Sequence, residues 1–249
     1  MKKYELTSET KVINGVELHR IKAIESFGSV KKGELGGWIE SEKNLSQYGD
    51  AWVGGDATVF GNAEVFGNAK VSGNAKVSGN ATVDGYATVC GYATVYGHAT
   101  VDEHATVDGY ATVRGYATVG DNATVYEYAT VCGYAMVYGS STVYGKAKVF
   151  ENATVSGDAT VRGNATVRGN AWVGENATVG ENADYIVFKN WWSSGRHFTW
   201  TRSNNKWRVG CFYGSGEELI AKAYKDSEKS GREYERVVKY VESILKEEK

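Results

Sequence analysis

Valine recurs at every sixth residue of this chain, and that period limits the possible folds more than any other feature. It runs from Val53 to Val179 without exception, and alanine keeps the same period from Ala51 to Ala183, failing only at Ser141. A period of six does not match the 3.6-residue turn of an α-helix, so a helical solenoid is excluded. Short strands separated by regular bends fit the pattern.

Each six-residue unit predicts one short strand and one bend. The valine of a segment such as T-V-Y faces inward while its neighbours face outward. Valine suits a strand, and the Gly-Asn pair that follows suits a bend because both residues tolerate positive φ. Three units of six residues close a triangle, and successive coils stack about 4.8 Å apart. The sequence therefore predicts a triangular parallel β-solenoid of about seven coils.

Units such as VSGNAK (71–76), repeated from Asp50 to Ala183, resemble the hexapeptide-repeat family. That resemblance implies a mainly β protein built on a single-stranded left-handed parallel β-helix. The best-known relatives are trimeric acyltransferases with a histidine base between subunits. The segments LGGWIESEKNLSQYGDAWV (35–53) and CFYGSGEELI (211–220) are also similar to segments of uncharacterised bacterial and bacteriophage-borne repeat proteins, which implies a bacterial or prophage context.

Different sequence patterns flank the repeat and predict caps that protect the open ends of the solenoid. Residues 1–48 are predicted as an N-terminal β cap with a hairpin around Asn14-Gly15, followed by a lead-in. Residues 49–184 are predicted to form the solenoid. Residues 185–249 are predicted as a small α+β cap, with short strands and then two helices, near Ser215 and over about 231–246. Trp52 and Trp172 replace the usual threonine before valine and are predicted to dock the caps.

The residue after the repeat glycine changes character in the middle of the chain. It is asparagine or aspartate in the outer coils, but aromatic at eight middle positions, here called the aromatic belt: Tyr86, Tyr92, His98, His104, Tyr110, Tyr116, Tyr128 and Tyr134. Positions 18 apart share an edge of the triangle, so ladders of stacked rings are expected. Tyrosine tolerates a strained bend less well than asparagine, so the exchange should cost stability unless stacking offsets it. A structural ladder, a self-association surface and a ligand site all remain open.

Charge and composition restrict the function classes. The formal net charge is −2, but residues 49–184 carry 7 Lys+Arg and 14 Asp+Glu, which argues against nucleic acid as a partner. The N-terminus shows neither a signal peptide nor a membrane span. Cys90, Cys132 and Cys211 suit neither a disulfide framework nor a metal site. A cytoplasmic location is expected, in a bacterial or phage-infected host cell, with no cofactor, metal or membrane.

These features favour a non-enzymatic binding protein that forms a homo-oligomer, a trimer or dimer, through the aromatic belt. A protein partner and a small aromatic or nucleotide ligand are further possibilities. One alternative is a phage-encoded inhibitor or sponge of a host defence protein or nucleotide signal. Another is a trimeric acyltransferase using His98 or His104, although the unbroken valine register leaves no inserted loop to form a cleft. A zinc site between subunits, formed by His98, His104 and a carboxylate (Asp102 or Glu103), and an ice-binding threonine face have weaker support.

Overall fold

A computed structural model of the chain describes residues 2–247. It is mainly β, with a parallel β-solenoid of about eight turns and a small C-terminal unit that contains two helices, which confirms the predicted architecture. The solenoid has three faces, each a parallel sheet whose strands are contributed by successive turns.

The repeat strands are short, and the chain visits the three faces in a fixed order. Face 1 contains Leu35–Ile39, Thr58–Val59, Lys76–Val77, Thr94–Gly97, Thr112–Gly115, Thr130–Val131, Lys148–Val149 and Thr166–Val167. Face 2 contains Glu64–Val65, Thr82–Val83, Thr100–Val101, Thr118–Val119, Met136–Val137, Thr154–Val155 and Trp172–Val173. Face 3 contains Trp52–Val53, Lys70–Val71, Thr88–Val89, Thr106–Val107, Thr124–Val125, Thr142–Val143, Thr160–Val161 and Thr178–Val179.

The interior is filled by the repeat valines and alanines, which form one continuous buried cluster along the solenoid. Valine registers with valine across turns, as in the pair Val89 and Val107. At Ser141, the one departure from alanine, the buried hydroxyl donates to the carbonyl of Tyr138 at 2.7 Å. The six-residue period is therefore a packing requirement, because every unit delivers one branched and one small side chain to the same core.

The N-terminal end begins with a hairpin of Tyr4–Ile13 and Val16–Ala23, with Asn14 and Gly15 at positive φ in its turn. The second strand pairs antiparallel with Leu35–Ile39, which in turn pairs parallel with Thr58–Val59. A short 3₁₀ helix spans Glu42–Asn44, and Leu45 then bridges to the next turn. The lead-in therefore adds a turn, which is why the solenoid exceeds the seven coils that the valine count predicts.

The C-terminal end leaves the solenoid through a 3₁₀ helix at Asn182–Asp184. A four-stranded antiparallel sheet follows, formed by Tyr185–Lys189, His197–Thr201, Lys206–Val209 and Phe212–Gly214. Helix α1 spans Gly216–Asp226 and helix α2 spans Glu228–Glu247. Ser215 caps α1, as predicted, by accepting a hydrogen bond from the amide of Glu218. Within residues 2–247, no helix is both long and apolar enough to span a membrane.

Candidate functional site

The aromatic belt forms three separate columns, one on each edge of the solenoid. On the edge between faces 3 and 1, Tyr110 lies 5.0 Å from Tyr92 and 5.1 Å from Tyr128, measured between ring centroids. On the edge between faces 1 and 2, Tyr116 lies 4.7 Å from His98 and 5.0 Å from Tyr134. We call these columns ladder 3/1 and ladder 1/2.

The third column, on the edge between faces 2 and 3, is a pair. Tyr86 and His104 stack at 5.0 Å with an interplanar angle of 10°. The structure therefore stacks the eight predicted residues by edge, but it does not bring them into one pocket. The belt encircles the middle turns as three strips of exposed side chains.

The backbone strain expected at the belt lies one residue earlier. The left-handed φ of each bend falls on the repeat glycine, for example Gly85 at 62°, and none of the eight belt residues has positive φ. Where glycine is replaced, the strained residue is acidic, as at Glu103 with φ of 53°. The prediction that tyrosine carries a bend penalty was therefore wrong, because the Asn-to-Tyr exchange occurs at a position of ordinary φ. The fold accepts either residue there.

Ring stacking determines which ligands the ladders can contact. Tyr110 and Tyr116 each have a ring on both sides, with interplanar angles of 5° to 6°. Their faces are covered by neighbouring rings, so the surface of each ladder consists of ring edges and phenolic hydroxyls. A sugar or nucleobase that stacks on an aromatic face finds an uncovered ring only at the end of a ladder.

The end of ladder 1/2 nearer the N-terminus contacts asparagines of the preceding turns. His98 Nε2 lies 3.3 Å from Asn80 Nδ2, and Asn80 accepts a hydrogen bond from Asn62 at 3.0 Å. The aromatic ladder thus continues as an asparagine ladder toward the N-terminal end. This continuity shows how the two residue types substitute for one another along a single edge.

The two belt histidines do not form an acid–base or metal-binding arrangement. His98 and His104 lie on different edges, each stacked on a tyrosine. No group of three His, Cys, Asp or Glu side chains suited to a metal ion occurs in the part of the chain that the structure describes. Near His104, burial raises the pKa of the Asp102 carboxyl, and the neighbouring carboxylates of Asp84 and Glu103 raise it further.

Face 1 is the face that both three-membered ladders border, a relationship that sequence analysis did not single out. Its outer surface contains a depression of 570 Å³ whose lining includes Arg114, Cys132, Lys148 and Phe150. Arg114 and Lys148 are exposed. Exposed arginine and tyrosine are typical of protein interfaces. The signal was present in the residues on either side of each valine, but it appears only when those residues are sorted by face.

The two tryptophans predicted to dock the caps each contact a terminal unit. Trp52 is 7% exposed and packs edge to face against Phe27, with ring centroids 5.5 Å apart. Trp172 lies under the Arg208 guanidinium at 3.9 Å, and its indole donates to Ser156 Oγ at 2.7 Å.

A second cavity, of 330 Å³, lies inside the C-terminal unit between its sheet and its helices. Its most buried polar side chain, Asn190, donates to Ser193 Oγ at 2.9 Å and to the Tyr234 hydroxyl at 3.2 Å. Because Asn190 is satisfied by its own unit, this cavity gives no indication of a ligand.

Comparison with known proteins agrees with the architecture but does not indicate an activity. A family model described as YdcK Beta solenoid repeat matches residues 75–91, which is about one turn. The chain is therefore similar, over that segment, to a repeating β-solenoid. No curated protein matches the chain.

Proposed function

We propose that this chain is a non-enzymatic binding module that associates with further copies of itself through the aromatic belt. The carrying observation is that eight exposed aromatic side chains occupy middle-turn positions that hold asparagine or aspartate in the outer turns. Tyr116 and Tyr134, for example, are 53% and 61% exposed. Rings that the core does not require, and that remain exposed in a single chain, favour a contact with another molecule.

The nature of the exposed atoms supports a protein partner over a small flat ligand. Because the ring faces in the ladder interiors are covered, each ladder offers a row of edges and hydroxyls at the repeat of the strands. A second solenoid has the same repeat along its axis, so side chains of two copies can interdigitate over several turns. A trimer or dimer is the assembly expected from the family resemblance.

Mass in solution tests this function. Tyr110→Glu with Tyr128→Glu places two charges in ladder 3/1 and should reduce the assembly to monomers. The matched control, Tyr48→Glu with Tyr240→Glu, changes two tyrosines outside the belt that are 81% and 57% exposed, and should leave the mass unchanged. A belt variant with the same mass as the wild type would rule out ladder 3/1 as the contact.

The alternatives are tested on the same protein. A sponge for a nucleotide signal, suggested by the prophage resemblance, predicts a higher melting temperature with a nucleotide panel. An acyltransferase predicts acyl-CoA turnover that disappears in His98→Ala or His104→Ala. His98 contacts the Asn80 amide, and within residues 2–247 neither histidine pairs with a carboxylate that would orient it as a general base. Neither alternative is favoured by a specific contact.

A further inference from the structure

Four of the seven cations and seven of the fourteen carboxylates of residues 49–184 lie on two opposite sides of the solenoid. On face 1, the outward positions from Ala51 to Ala183 carry four cations and no carboxylate: Lys76, Arg114, Lys148 and Arg168. The edge between faces 2 and 3, together with the adjoining strip of face 2, carries seven carboxylates and no cation: Asp50, Asp84, Asp102, Glu103, Asp121, Asp158 and Glu175. We call the second group the acidic edge. In a three-sided solenoid, this edge lies opposite face 1.

Most of these charges lack a partner within the chain. In residues 2–247 none of the four cations of face 1 forms a salt bridge, and Lys76 only lies over the Phe60 ring, at 5.0 Å. On the acidic edge, Glu175 pairs with Arg208 at 3.2 Å, while Asp121 and Asp158 are exposed and form no salt bridge with any residue of 2–247. The two sides are therefore complementary in sign and available for contact.

Each cation shares its turn with a carboxylate of the acidic edge, whereas the turn that starts at Thr94 carries Asp102 and Glu103 without a cation on face 1. Asp84 follows Lys76 after eight residues, and Asp121 follows Arg114 after seven. Asp158 follows Lys148 after ten residues, and Glu175 follows Arg168 after seven. Since a turn of 18 residues rises about 4.8 Å, each carboxylate lies about 2 to 3 Å further along the axis than its cation. The turn that starts at Thr130 has neither charge, with Cys132 on face 1 and Gly139 and Ser140 on the edge.

We infer that solenoids associate side by side with parallel axes, the acidic edge of one copy lying along face 1 of the next. A slide of 2 to 3 Å along the axis places each cation opposite a carboxylate. The shapes agree as well. Ladders 3/1 and 1/2 stand along both borders of face 1, so the face is the floor of a trough with a depression at Arg114 and Lys148. A projecting edge fits such a trough.

The size of the contact is adequate. Face 1 extends for about 35 Å along the axis and about 20 Å across, or about 700 Å². A standard interface buries about 800 Å² on each partner. Because the two surfaces lie on opposite sides of one chain, each added copy leaves the same surfaces free. The contact is heterologous, and it extends as an open row instead of closing as a symmetric trimer or dimer.

This inference rests on the proposed self-association, and two variants of the full chain test it by sedimentation velocity. The floor variant carries Arg114→Glu and Lys148→Glu. The edge variant carries Asp121→Lys and Asp158→Lys, the carboxylates that the contact pairs with Arg114 and Lys148. Each variant alone should remain monomeric, whereas an equimolar mixture should associate, because the reversed floor of one matches the reversed edge of the other. Restoration by mixing also shows that both variants are folded.

A control and a salt series complete the experiment. Lys70→Glu with Arg162→Glu changes face 3 and gives the same net charge as the floor variant, −6, since each substitution subtracts two charges from −2. This control should associate like the wild type. Raising salt from 50 to 500 mM should weaken wild-type association about tenfold, because exposed charge pairs are screened.

The outcomes separate the inference from the function on which it rests. A wild-type chain that is monomeric at every salt and protein concentration would contradict the proposed self-association. Association that is insensitive to salt and unchanged in both charge variants would overturn the face-to-edge contact while leaving the belt as an interface. Two monomeric variants that remain monomeric when mixed would also overturn it.

Discussion

Lys3 offers the sharpest test of how the N-terminal end of the solenoid is closed. Its side chain enters the first turn and is 2% exposed. The ammonium donates to the carbonyls of Ala51 at 2.8 Å, Gly49 at 3.0 Å and Tyr48 at 3.5 Å. Burial lowers the pKa of Lys3 to about 8, although the carboxylate of Asp50 opposes the shift. The charge is thus held in a site that favours the neutral amine.

The replacement Lys3→Met retains the length of the side chain and removes the donor. At pH 7 we expect the free energy of unfolding to fall by about 2 to 3 kcal/mol, because buried carbonyls lose their hydrogen bonds. The wild type should also respond to pH. Between pH 8 and 10.5 the folded protein has lost the Lys3 proton and the unfolded chain retains it, so stability rises with pH. The full pKa shift corresponds to about 3 kcal/mol.

Urea unfolding followed by tryptophan fluorescence, from pH 7 to 10.5, measures both effects. Trp52 reports on this end because it packs against Tyr4. The stability difference between wild type and Lys3→Met should widen as pH rises, since tyrosine titration is common to both proteins. Lys2→Met is the control, because the Lys2 ammonium is exposed in its ion pair with Glu42. A difference that stays constant from pH 8 to 10.5 would refute the account of Lys3.

Three further predictions concern the middle turns, the C-terminal end and the cysteines. Tyr116→Asn should lower the free energy of unfolding by only about 1 to 2 kcal/mol, because two stacking contacts are lost. The circular dichroism spectrum should not change, since the position accepts asparagine. A failure to fold would show that the belt is required by the solenoid. Trp172→Ala should lower the free energy of unfolding by about 2 to 3 kcal/mol and make residues 185–247 more sensitive to protease, because the stacking with Arg208 disappears. An unchanged cleavage pattern would contradict the docking of the C-terminal unit on Trp172. Cys211 is exposed and should react with a thiol reagent at pH 8 well before Cys90. Burial and a hydrogen bond with Asp108 raise the pKa of Cys90 to about 11. Equal reaction rates for the two cysteines would contradict this account of Cys90.

The solenoid could be predicted from sequence because one constraint repeats 22 times. Each valine needs the same inward position, and a single slip would expose it, so the register of Val53 to Val179 specified the core and the shared edges. Ring stacking within Tyr92, Tyr110 and Tyr128 followed from the 18-residue spacing. The extra turn was not evident, because Leu35–Ile39 and Leu45 occupy it without the valine period.

The properties of the candidate site depend on three-dimensional sorting that the linear pattern does not display. The strained φ falls on Gly85 or Glu103 and not on the residue that follows, a distinction that a Gly-Asn pair leaves open because both residues favour bends. That the ring faces within each ladder are covered becomes evident only from the distances and angles between the rings. Arg114 and the acidic edge lie on opposite sides of the solenoid, which becomes visible only when residues several turns apart are assigned to one side.

Hydroxyl-radical footprinting across an association series tests most directly whether copies meet at the aromatic belt. The oxidation of each tyrosine is measured at dilute, monomeric concentration and again where the mass has increased. We predict that Tyr110 and Tyr116 become protected on association, while the exposed Tyr48 and Tyr240 keep their rates. Protection at Tyr48 or Tyr240 with unchanged oxidation of Tyr110 and Tyr116 would contradict the account, because the interface would then lie outside the middle turns.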